Sequence, residues 1–156
     1  MYEITIQRMI PKDKMPDVKL LKHWAEQTLV YQNQSAELNI RVVDKKEMTA
    51  LNSQYRQKNK PTNVLSFPFD MPVEAEEELV FLGDIVICAD VVNEEAKAQN
   101  ISENYHWAHM VVHGTLHLLG YDHETDEDAD IMEPEEGRIL ESLGFPNPYY
   151  KEPQGN

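Results

Sequence analysis

Five of the six histidines in this 156-residue chain fall between positions 106 and 123. Imidazole can hold a metal ion or move a proton near neutral pH, so such a cluster is a signal of chemistry. His113 and His117 are four residues apart. On a helix that spacing stacks both rings on one face, about 6 Å apart along the axis, which suits two imidazoles on one ion. Gly120 then lets the chain turn, and His123 follows three residues later. Three neutral imidazoles leave one position of a tetrahedral zinc ion open to water, as catalytic rather than structural zinc sites do. His109 and His106 continue the same helical face. Support of the ligands or plain packing is the expectation for both.

The string His113-Gly-Thr-Leu-His117-Leu-Leu-Gly120-Tyr-Asp-His123 has the H-x-x-x-H-x-x-G-x-x-H spacing of metzincin zinc sites. It departs from them at one position. Zinc peptidases place Glu directly after the first His as general base for water, and here that position is Gly114. Peptide hydrolysis by that route loses its base. Phosphodiester cleavage survives the loss, because a metal and a cation can stabilise charge on phosphoryl oxygens. The densest basic cluster, Arg56, Lys58 and Lys60, offers such a cation. Arg presents a planar fork that matches phosphate oxygens. A solvated helix end, where cations suit the dipole, explains the cluster equally well.

These residues need a scaffold, and hydrophobic periodicity outlines it. Tyr2, Ile4 and Ile6 alternate over a strand at 2–8, and Leu38, Ile40 and Val42 over a second that ends at Asp44. Asp17 caps a helix to about Tyr31, and Asp44 one that contains Met48, Leu51 and Tyr55. Residues 63–67 read as a short third strand, closed or placed at a sheet edge by Pro68 and Pro72. Residues 74–78 are a solvated acidic loop. Residues 79–88 form the most apolar strand, and 90–99 a helix. Ser102 caps the histidine helix, which is apolar nearly all round and therefore buried, and which stops at Gly120. Residues 124–130 read as a charged loop or helix start. A last helix carries Ile139, Leu140 and Leu143 and ends at Gly144. The order β-α-β-α-β-β-α-α-α predicts an α+β fold, a small mixed sheet of about four strands covered by helices. Residues 1–150 read as a single domain and 151–156 as a polar tail.

Composition bounds the function classes. The formal net charge is −14, but residues 1–60 carry 11 basic and 7 acidic side chains while the remainder carry 3 and 21. Such acidity excludes non-specific duplex binding, which needs a basic footprint, yet it leaves room for one basic face on an acidic body. The single cysteine, Cys88, excludes an intramolecular disulfide and fits a reducing compartment. In its apolar strand it reads as an inert core thiol. No run approaches the roughly 18–20 apolar residues that span a bilayer, and the first twenty residues lack the apolar core of a secretory signal. A cytoplasmic protein without a membrane role is the expectation.

Three separated motifs, YRQKNKPTNVLSFPF at 55–69, LGDIVIC at 82–88 and HGTLHLLGYDH at 113–123, resemble the YbeY family of bacterial rRNA-maturation metalloendoribonucleases. The likeness runs from about Leu38 to Tyr149 and includes the lead-in HWAHMVV and the closing LGF-x-NPY. It implies a zincin-like fold and one zinc ion on His113, His117 and His123. It also implies cleavage of single-stranded RNA, maturation of the 3′ end of small-subunit (16S) rRNA, and ribosome quality control. The family's functionally important arginine falls on Arg56, which favours its phosphate role. Lys58, Lys60 and Ser66 are the expected substrate contacts beside the third strand. The implied partners are single-stranded rRNA, the small ribosomal subunit with its proteins, and an assembly GTPase.

Other polar residues near these motifs carry weaker expectations. Asp84 orients a ligand, closes a groove, or is a buried strand Asp bonded to backbone. Asp122 and Glu124 flank His123 as proton relays or as a polar turn. Met132 floors the metal site or, more simply, belongs to the core. Two rival functions remain open at this level. One is a non-catalytic ribosome-assembly factor with a structural metal, whose removal should unfold the domain. The other is a metzincin-like peptidase, which Gly114 disfavours.

Overall fold

A computed structural model of the chain describes residues 1–69 and 79–149. Pro72, the acidic segment 74–78 and the tail 151–156 lie outside the described residues. Strand β1 (Tyr2–Arg8) leads into helix α1 (Val18–Tyr31), β2 (Ala36–Val43), α2 (Lys45–Arg56), β3 (Val64–Pro68) and β4 (Val80–Cys88). Helices α3 (Ala89–Gln99), α4 (Glu103–Leu118) and α5 (Asp126–Ser142) complete the chain. The strands form one mixed sheet of order β1-β2-β4-β3. β1, β2 and β4 are parallel, and β3 runs antiparallel to β4 at the edge. The expected α+β architecture, with four strands and a helix-borne histidine site, is therefore present.

Period-two alternation assigns the strand residues to two faces. Ile85 and Ile87 of β4 join Leu38, Ile40 and Val42 of β2 in the larger core, while Val86 and Cys88 join Val43 and Leu65 on the other face. Helix α2 covers that smaller cluster with Met48. β4 is the most apolar strand because helices shield both its faces. β1 is an edge strand with one half-buried face (Tyr2, Ile4, Ile6), so it alternates cleanly.

Helix α4 lies across the sheet and touches α1, α3, α5, β3 and β4. Ser102 caps its start, with Oγ accepting from the Tyr105 N–H at 3.0 Å. Gly120 at φ +103° ends it. There the Gly120 and Tyr121 N–H groups donate to the His117 and Leu116 carbonyls, a Schellman motif. The helix is less uniformly buried than its composition predicts. Its Trp107, Val111, Val112 and Leu116 are fully covered, whereas His109, His113 and His117 form a partly open stripe. Helix α5 begins at Asp126 under a Thr125 cap and continues through Pro134. Pro134 is exposed, so water can satisfy the carbonyl that the proline leaves unpaired.

Candidate active site

The two helical histidines and the one after the turn come together. Their ring centroids lie 4.5–5.0 Å apart, and one nitrogen from each falls within 4.8 Å of the others. The His113 and His117 Nε2 atoms are 3.0 Å apart. Two ligands on a tetrahedral zinc are separated by about 3.3 Å, so small ring rotations let these three hold one ion. Burial holds the His117 ring down at about 4, and the neighbouring His113 and His123 add to that shift. His117 is therefore neutral at pH 7 and able to donate its lone pair.

Behind the three histidines lies a residue that their spacing does not disclose. Glu136 of α5 is 1% exposed and takes the His113 Nδ1–H on Oε1 at 2.6 Å. Its Oε2 accepts from His109 Nε2 at 2.8 Å and from the Tyr149 hydroxyl at 2.7 Å. Burial alone would push this carboxyl upward, but chiefly the hydrogen bonds donated by His109 and His113 outweigh it and hold the group at about 2. Burial, and then the Glu136 carboxylate, raise the Tyr149 hydroxyl well above the usual phenol range. The sequence did carry a signal. Met132, Glu136, Ile139 and Leu140 follow one another at helical spacing, and a Glu in an apolar stripe needs a partner.

The histidines open onto a cavity of about 800 Å³, within the size range of ligand sites. His113, His117 and His123 line it together with Tyr55 and Arg56 from the end of α2 and residues 62–68 of the β3 segment. Arg56 is exposed and is the last residue of α2. The Tyr55 ring packs edge-on against Phe67, centroids 5.0 Å apart, and so ties the helix end to β3. Ser66 also lines the cavity, with Oγ donating to the Gly114 carbonyl at 3.2 Å. Lys58 and Lys60 are exposed in the following loop and lie outside the cavity lining.

The remaining candidates have ordinary places. Asp84 accepts from the Asn39 side chain at 3.0 Å. Asp122 accepts from the His123 N–H at 2.7 Å and shapes the turn, while Glu124 lines the cavity rim. Met132 sits within α5 as a core residue. Cys88 is buried, and that burial raises its thiol further from reactivity. His106 is buried beside Glu95, Nε2 to Oε1 3.0 Å, and His109 bonds to Glu136. Neither belongs to the group of described residues that could hold a metal ion.

Gly114 has a packing reason. A Cβ there would stand 2.8 Å from Cγ2 of Ile85 on β4, so α4 can lie this close to the sheet only without a side chain. A Glu at this position would have to start from a Cβ crowded against Ile85 of the sheet. Gly114→Ala gains about 0.5–1 kcal/mol of helix propensity. Overpacking costs about 1–3 kcal/mol. The expected net result is a loss of up to about 2.5 kcal/mol, centred on about 1 kcal/mol, read as a lower urea midpoint with an unchanged slope. A midpoint at or above wild type would contradict this packing account.

The family model described as Endoribonuclease YbeY matches residues 6–144. The chain belongs to the endoribonuclease YbeY family. YbeY membership makes it a nuclease with a role in rRNA processing and makes RNA its substrate. YbeY proteins are metal-dependent, and the three clustered histidines could bind the ion. A solution structure of TM1509 from Thermotoga maritima is also similar. It is 26% identical over 100% of this chain and 99% of that one, with a TM-score of 0.58. No helix among the described residues is long and apolar enough to cross a membrane.

Proposed function

We propose that this YbeY protein is a zinc-dependent, single-strand-specific endoribonuclease. It would mature the 3′ end of small-subunit (16S) rRNA and serve ribosome quality control in the cytoplasm, working on the small subunit with its proteins and an assembly GTPase. The observation that carries the reading is the shared cavity. It is lined both by the three clustered histidines that could hold an ion and by Arg56, beside the edge strand β3.

His113, His117 and His123 hold the ion. Zinc bound there supplies a Lewis acid for the scissile phosphate. Arg56 binds the non-bridging oxygens with two parallel N–H groups and stabilises charge as it builds on them. Ser66 and the edge of β3, unpaired among the described residues, offer polar groups to an extended strand of RNA. A duplex buries its bases, whereas a single strand can extend along a strand edge with its bases free, which favours single strands. Lys58 and Lys60 attract the flanking backbone from outside the cavity. The net charge of −14 keeps affinity for naked RNA low and salt-sensitive, so docking on the ribosome would supply specificity.

The test is cleavage of a labelled RNA, single-stranded and annealed, by wild type and His113→Ala purified in parallel. The single strand should be cut by wild type alone and the duplex by neither. Equal cutting by both proteins would mean a contaminating nuclease. Equal cutting of both substrates by wild type alone would end the claim of strand specificity.

A further inference from the structure

The Glu136 cluster goes beyond the ligands themselves. A carboxylate only accepts hydrogen bonds, so the 2.6 Å contact to Oε1 requires the His113 proton to sit on Nδ1. The Nε2 lone pair is then left facing His117. Oε2 receives two donors, His109 and Tyr149. The 3.3 Å approach between those donors is a by-product, because both protons point at the carboxylate. With three donors and 1% exposure, Glu136 has little freedom to rotate.

Tyr149 is brought there by the segment that follows α5. Phe145 packs against Trp24 and Tyr105, and Asn147 lies over Gly137 and donates to Glu141 at 2.8 Å. The Asn147 carboxamide oxygen then accepts from the Tyr149 N–H at 2.8 Å. Residues 145–149 thus form a strap whose end closes over the carboxylate.

We infer that Glu136, held by Tyr149, is a positioning residue for His113: it sets the tautomer and direction of that ring and thereby raises the affinity of the three-histidine site for its metal. The inference rests on the metal reading of those histidines. A purely architectural Glu136 would join α5 to α4 without affecting the ion. Carboxylates that accept from a ligand's second nitrogen commonly contribute about 10–100-fold to metal affinity.

The experiment measures zinc affinity by competition with a chromophoric chelator at fixed pH. It compares wild type, Glu136→Gln, Tyr149→Phe and the core control Ile139→Val. Glu136→Gln is expected to bind about 10–100-fold more weakly, Tyr149→Phe less weakly than that, and Ile139→Val like wild type. Long-range proton–nitrogen spectra of the zinc-free proteins supply a second readout. His113 should be protonated on Nδ1 in wild type and mixed in Glu136→Gln. A folded Glu136→Gln with wild-type affinity, within about twofold, and wild-type tautomer overturns the inference alone. Should Glu136→Gln not fold, unchanged zinc affinity in Tyr149→Phe overturns it. A wild type that binds no zinc overturns the metal reading, and the inference with it.

Discussion

Removing the metal, by chelation or through His117→Ala, should lower RNA cleavage by about 10³-fold or more and leave the domain folded. A Lewis acid at a phosphoryl oxygen contributes several kcal/mol to the transition state, and each 1.36 kcal/mol is about tenfold in rate. The fold has its own supports. Helix α4 is capped at its start by Ser102 and closed at its end by the Gly120 Schellman motif. Both hydrophobic clusters are assembled without the three ligands. His117 is only partly buried, and it is uncharged at neutral pH because burial and its histidine neighbours hold it at about 4. An empty site therefore leaves no charge on His117, and the Glu136 carboxylate keeps its hydrogen-bond donors His109, His113 and Tyr149. Far-ultraviolet circular dichroism before and after chelation, beside the cleavage rate, checks both halves. Loss of the helical signal on chelation would make the metal structural and favour an assembly factor without catalysis.

The cluster of three histidines was legible in the sequence because its geometry is local. Spacing along one helix and one turn settles where His113, His117 and His123 lie, and Gly120 marks the turn that connects them. The elements were legible for the same reason: alternation in β1 and β2, and caps at Asp17, Asp44 and Ser102, act over a few residues. What is set by contacts distant in sequence was not legible. The strand order puts β4 between β2 and β3, and no local pattern specifies that choice. The Glu136 carboxylate is 23 residues from the ring it holds, and only its place in an apolar stripe betrays it. Gly114 was read as a missing base, and its packing role became visible only with Ile85 beside it. Residues 124–130, read as a charged loop or helix start, turn out to begin α5 at Asp126, which runs on through the exposed Pro134.

Arg56→Ala should reduce kcat by about 10²–10³-fold with little change in stability, the loss typical of removing one donor that meets developing charge. Arg56 is exposed at the end of α2, and surface substitutions usually stay within about 0.5 kcal/mol of wild type. What holds the helix end beside the cavity is the neighbouring Tyr55–Phe67 contact, which the substitution leaves in place. The distribution between kcat and KM decides the role. A guanidinium that binds substrate and transition state equally raises KM alone when lost, whereas one that meets charge formed in the reaction lowers kcat. Arg56→Lys should recover only part of the rate, because a single ammonium replaces a two-pronged fork. Lys58→Ala and Lys60→Ala provide the contrast, since both side chains lie outside the cavity. Each should weaken RNA binding and flatten its salt dependence by about one ion or less, with kcat preserved. Should Arg56→Ala behave like the lysine variants, raising KM and sparing kcat, Arg56 would be a binding residue, and the stabilisation of phosphoryl charge would fall to the metal.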